Sequence, residues 1–159
     1  MLHNTKGFTL IETLVYLALF ALIIGGMVVA AYALFESSDR NQTKAMLQEE
    51  KAYLMGKIEW ALSDVKVVSV PTASASGPTL TLTKYDGTTV TVTSSGTKVL
   101  FNTTVLNNTN TTISNLVFIH TYGGTINPES LEVGFTITAK TPTGADISQR
   151  ASTTIYFRK

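Results

Sequence analysis

Residues 6–35 read KGFTLIETLVYLALFALIIGGMVVAAYALF. From Thr13 to Phe35 this stretch holds 23 residues without a charge or a proline. At about 1.5 Å per residue, a helix of that length covers roughly the 30 Å hydrocarbon thickness of a bilayer, so residues 8–35 are predicted to span a membrane. Glu12 stands near the entrance of the span. A carboxylate in such a segment costs on the order of 2.5–3.5 kcal/mol on insertion scales, and a chain that keeps one is expected to supply a partner for it. Lys6 precedes the span and Glu36, Asp39 and Arg40 follow it, which places the amino end on the cytoplasmic side. Gly25 and Gly26 form the soft point of the helix, because an interior glycine costs about 1 kcal/mol relative to alanine.

Lys6-Gly7-Phe8-Thr9-Leu10-Ile11-Glu12, in register with the apolar run, resembles the processing signal of type IV prepilins and of the pseudopilins of type II secretion and competence systems. A basic residue and a glycine precede the cut, phenylalanine follows it, and glutamate is fifth in the new chain. The resemblance implies cleavage between Gly7 and Phe8 by a prepilin peptidase and N-methylation of Phe8. It also implies single-pass storage in the bacterial inner membrane, followed by extraction through an inner-membrane assembly platform into a helical filament with other pilins or pseudopilins. That filament is periplasmic or on the cell surface. Glycine at position 7 suits a narrow protease site, since it has no side chain to obstruct the backbone. The new α-amino group at Phe8, with a reference pKa near 7.7, lies about one helical turn from Glu12. In the family the glutamate meets the amino terminus of a neighbouring subunit and sets the axial register. Pilins often carry a proline in the membrane helix, whereas this chain has Gly25 and Gly26, which also permit close approach of neighbouring helices.

Two other readings stay open at this point. Ala31-Tyr32-Ala33 has the small-x-small pattern of a signal peptidase site, although the apolar run exceeds the usual 7 to 15 residues of a secretory signal. A plain single-pass anchor bearing a surface binding or adhesion module, with no filament, is the alternative of a different class.

Composition suits one exported domain on a helical stalk. Of 159 residues, 14% are charged, against roughly 25% in soluble proteins. The net charge is +1, and loss of Lys6 with a leader at residues 1–7 would bring it to zero. There is no cysteine, so the carboxy-terminal disulfide of many pilins is ruled out.

Beyond the span, residues 36–70 are predicted to be an amphipathic helical stalk, helical to about Val65. Leu47, Leu54, Ile58, Ala61, Leu62 and Val65 share one face, and Glu49, Glu50, Lys57, Glu59 and Asp64 are expected to face water or neighbouring subunits. Val70-Pro71 and the run Thr72–Pro78 then break the pattern. Of 26 threonines 22 follow Val70, and threonine favours strands, so residues 71–159 are predicted to be an antiparallel β domain. Leu131, Val133, Phe135, Ile137 and Ala139 alternate with Glu132, Gly134, Thr136 and Thr138. A three-residue loop Tyr85-Asp86-Gly87 with Gly87 left-handed would set Leu82 opposite Val90 and Leu80 opposite Val92, with apolar residues on one face. Further strands are expected near Lys98–Leu106, Ile113–Tyr122 and Ser152–Arg158. The fold class is α+β: a pilin-like lollipop with a long N-terminal helix packed on an antiparallel sheet.

No catalytic constellation emerges, and neither a cofactor nor an enzymatic activity is expected. After cleavage His120 is the remaining histidine, and without cysteine the usual zinc clusters and thiol nucleophiles are excluded or nearly so. Asp86, Glu129, Glu132 and Asp146 lack calcium-loop spacing, so no metal site is predicted. Asn41, Asn102, Asn107 and Asn110 match the glycosylation acceptor pattern by chance, and Asn107–Thr112 is expected to be a polar tip. Lys84, Lys98, Lys140, Arg150, Arg158 and Lys159 exceed the four acids by two, which leaves DNA a weakly supported partner unless they cluster on one face.

Overall fold

The computed structural model describes residues 9–123 and 128–157. The chain divides into two compact units, Met1–Asp39 and Arg40–Lys159. A single helix, α1, runs Leu10–Leu62. Thr9 caps it: the Glu12 amide donates to the Thr9 carbonyl at 3.1 Å and to Thr9 Oγ1 at 3.4 Å, which occupies one of the donors a helix start leaves unpaired. The helix passes through Gly25 and Gly26 without a break, and a methyl group at either would meet nothing within 4 Å.

The helix stops at Leu62, short of the predicted Val65. Ser63 bends back, its Oγ donating to the Trp60 carbonyl at 2.7 Å. Asp64 then takes a left-handed φ of 61°, a conformation that Asp tolerates better than most residues. Its carbonyl accepts from the Tyr85 amide at 3.1 Å. The following residues, Val65–Val70, are not helical stalk but strand β1. Four valines in six positions explain the correction: β-branched side chains favour the pleated backbone once a left-handed residue has ended the helix.

Two antiparallel sheets stand where one was expected. Strands β1, β3 (Thr79–Lys84), β4 (Thr89–Ser95), β5 (Lys98–Phe101) and β6 (Thr104–Val105) form the first, in spatial order β1-β3-β4-β5-β6. The second orders β2 (Ser76–Gly77), β7 (Thr111–Thr121), β8 (Ser130–Lys140) and β9 (Asp146–Tyr156) as β2-β7-β8-β9. The β3–β4 hairpin has the predicted register, with Leu80 opposite Val92 and Leu82 opposite Val90. Lys84 and Thr88 close the three-residue loop, and Gly87 sits at φ 86°. The expected strand at Lys98–Leu106 is split by a turn at Asn102-Thr103 into β5 and β6. Strand β9 begins at Asp146, six residues before the predicted start, and Arg158 lies outside the described residues.

One apolar core joins the outer part of α1 to both sheets. Leu47, Leu54, Ile58 and Ala61 are buried with Leu80, Leu82, Val92 and Val99 of the first sheet and Phe118, Leu131, Val133, Phe135 and Ile137 of the second. The predicted inward set of β8, from Leu131 to Ala139, is buried throughout. In β7 a bulge between Ser114 and Val117 shifts the alternation, so that Ile113 and Leu116 both face inward. Gly134 lies across from it, where a Cβ would come within 3.4 Å of Val117 Cγ1. The fold is α+β, a long N-terminal helix packed with antiparallel sheets.

Candidate functional site

The site is the exposed apolar surface at the start of α1. From Leu10 to Phe35 every large apolar side chain is exposed, Leu14 at 59%, Phe20 at 62% and Leu34 at 72% among them. A soluble unit does not leave such a surface uncovered, and this segment is long and apolar enough to cross a membrane. Gly7 and Phe8, the predicted cleavage and methylation positions, lie outside the described residues, as does Lys6. Glu12 falls in the first turn of α1, where the positive end of the helix dipole favours an anion. Its carboxylate accepts from the Tyr16 hydroxyl, with Oε1 3.5 Å from Tyr16 Oη one turn further along. Thr13, Tyr16, Leu17 and Phe20 line a shallow apolar hollow beside it. Thr13 turns its own hydroxyl back to the Leu10 carbonyl at 2.8 Å.

The polar groups of the second unit have structural roles. Glu50, expected to face water, is buried, and it holds the loop expected to be a polar tip. Its Oε1 accepts from the Asn108 amide at 2.6 Å and from Thr111 Oγ1 at 2.7 Å, and its Oε2 accepts from Asn108 Nδ2 at 3.3 Å. The expectation for Glu50 is thereby corrected, while the loop keeps Asn108, Thr109, Asn110 and Thr112 exposed and buries Asn107 and Thr111. Position 50 lies three residues after Leu47 and four before Leu54, on the buried face by angle; assigning it by residue type alone hid this.

His120 is also buried, with Nδ1 3.0 Å from the Pro71 carbonyl and Nε2 2.9 Å from Glu129 Oε1. A carbonyl oxygen can only accept, so Nδ1 carries the proton at that contact. The histidine ties β7 to the loop after β1 and to the residue that leads into β8. Among the described residues no group of three or more His, Cys, Asp or Glu gathers as metal ligands do. The four acids are dispersed. Asp86 accepts from the Thr88 amide at 2.8 Å in the β3–β4 turn, Glu129 meets His120, Glu132 accepts from Ser152, and Asp146 opposite Lys140 begins β9. Thr88 holds the Asp86 carboxyl below the usual range, its amide first and its hydroxyl second.

Among the described residues, the basic side chains of the β domain are spread over both sheets. Lys84 donates to the Trp60 carbonyl at 3.2 Å and sits 4.2 Å from the centre of the Trp60 ring. It thus supplies the cation that the last turn of α1 lacks. Lys98, at the far end of β4 from Lys84, donates to the Asn108 carbonyl at 2.8 Å, and Lys140 and Arg150 are on the other sheet. Arg158 and Lys159 lie outside the described residues. Scatter of this kind argues against a nucleic-acid surface. Asn102 and Asn107 are turn residues whose Oδ1 atoms accept the Thr91 and Val99 amides, each at 2.9 Å.

A family model of the prokaryotic N-terminal methylation motif matches residues 2–28. The chain therefore carries a type IV prepilin-like signal, the mark of a pilin-like precursor that a membrane helix anchors. Families bearing this motif are structural in kind. No curated protein and no solved structure matches the chain.

Proposed function

We propose that this protein is a structural subunit, a minor pilin or pseudopilin, of a type IV pilus-like or type II secretion or competence filament. It is not an enzyme. A prepilin peptidase cuts after Gly7 on the cytoplasmic side of the inner membrane, and Phe8 becomes the methylated first residue. Residues 8–35 hold the precursor in the membrane with its amino end in the cytoplasm, and an assembly platform there transfers it to a filament of other pilins or pseudopilins. If the helix loosens on assembly, it does so at Gly25 and Gly26.

One observation carries the proposal: a carboxylate at Glu12, in register with the methylation motif, opens a helix surface left bare from Leu10 to Phe35. In lipid that surface is satisfied by acyl chains, and in a filament by the same segment of neighbouring subunits. The cationic amino group of a cleaved neighbour would neutralise Glu12 at a single axial position, so assembly and register would follow from one ion pair. Replacing Glu12 with Ala tests this in cells that contain the complete machine. Membrane insertion should be unchanged, since the change removes a charge from the span, while recovery in sheared or fractionated filaments should fall at least tenfold. Normal incorporation would remove the register role.

A further inference from the structure

We propose that Tyr16 is the positioning residue for Glu12. Its hydroxyl binds one carboxylate oxygen and leaves the other for the incoming cationic chain end. The inference rests on the filament role proposed above and assigns that site a second member.

Among the described residues, the polar groups around Glu12 have separate tasks. Thr9 uses its carbonyl and hydroxyl to cap the helix through the Glu12 amide. Thr13 spends its hydroxyl on the Leu10 carbonyl at 2.8 Å. Tyr16, four residues on and so on the same helix face, directs its hydroxyl to Glu12 Oε1 at 3.5 Å, longer than the roughly 2.5–3.0 Å usual for an O–H···O bond. A phenol spans the turn between them on a rigid ring with two rotatable bonds, and its apolar body remains compatible with lipid.

An ionised carboxylate offers two oxygens and about four lone-pair sites. One bond from a neutral hydroxyl therefore does not compete with an ammonium group. It holds the carboxylate along the helix instead of leaving it to sample rotamers, and it supplies a donor while the subunit is stored among acyl chains, where water is scarce. The apolar hollow lined by Thr13, Tyr16, Leu17 and Phe20 lies beside this pair, so a neighbouring chain end approaching Glu12 meets the face that Tyr16 shapes.

Two measurements on the full chain test the proposal. In the first, the protein is labelled with carbon-13 at the tyrosine ring carbon that bears the hydroxyl and reconstituted in phospholipid vesicles. The Tyr16 resonance is assigned by its loss in Tyr16→Phe. Glu12→Gln should move that resonance, and Glu36→Gln should leave it in place. In the second, Tyr16→Phe should lower incorporation into filaments about three-fold at unchanged membrane level, the effect of losing one modest hydrogen bond in a membrane. A Tyr16 resonance indifferent to Glu12→Gln overturns the contact, and wild-type incorporation of Tyr16→Phe overturns its role. Normal incorporation of Glu12→Ala would instead strike the register reading, and the resonance alone would then decide whether Tyr16 holds Glu12.

Discussion

Replacing Glu50 with Ala should destabilise the second unit by about 3 kcal/mol. Both short contacts, from the Asn108 amide at 2.6 Å and from Thr111 Oγ1 at 2.7 Å, are made to Oε1, and Thr111 is fully buried. The Asn108 amide left behind costs about 1–3 kcal/mol when its charged acceptor disappears, and Thr111 Oγ1, which keeps the Asn108 carbonyl at 3.2 Å, loses only its stronger acceptor, about 1 kcal/mol. The third contact, from Asn108 Nδ2 at 3.3 Å, belongs to an exposed residue that water can serve, so it adds little. For a unit of this size the loss corresponds to a fall in melting temperature of roughly 10 °C. Glu50→Gln should cost only about 1 kcal/mol, because the amide oxygen can keep both short bonds while the amide nitrogen faces another donor at Asn108. Thermal unfolding of the full chain in detergent, followed by the fluorescence of its single tryptophan, reads the effect directly. Trp60 lies 5.9 Å from the Phe101 ring and so reports on the join between α1 and the first sheet. The exposed neighbour Glu49 supplies the control, since Glu49→Ala should stay within about 0.5 kcal/mol of wild type. If Glu50→Ala were no worse than that control, the buried carboxylate would not hold the loop and the reasoning would fail.

Lys84→Ala should cost about 1 kcal/mol and alter Trp60 emission, because the ammonium both meets the end of α1 and covers the indole; unchanged emission would contradict that placement. Asp86 has a pH signature. Its folded pKa lies below its unfolded value of 3.8, so its contribution is fully present above that value and is lost as pH falls through the lower folded one. Protection of the Thr88 amide against hydrogen exchange, relative to its intrinsic rate at each pH, should therefore fall below about pH 3.8 in the wild type, and in Asp86→Ala it should be low and independent of pH.

Sequence alone made the β3–β4 hairpin legible in register because two local rules agreed: glycine at the left-handed loop position and alternation that tolerates one pairing. It made the outer face of α1 legible because Leu47, Leu54, Ile58 and Ala61 recur at helical spacing. The end of the helix was harder to read, since Asp64 takes its left-handed turn partly through a bond to Tyr85, 21 residues later. The first half of β9 was missed for want of apolar alternation: Asp146 to Arg150 contains a single large apolar residue, Ile147, as an edge strand with little buried surface can afford. At the candidate site the position of Glu12 in the first turn of the helix was legible from the motif and the charge-free run. Tyr16 stood four residues away in the same run, and its spacing alone was enough to suggest the contact.

The central claim is that the chain is cut after Gly7 and that the new end meets Glu12. Intact-mass and N-terminal peptide mass spectrometry of the protein, purified from cells that have the prepilin peptidase, tests it most directly. A mature chain beginning at N-methylated Phe8 is the predicted result. A chain that begins at Met1, or at Leu34 after signal peptidase cleavage, would contradict it.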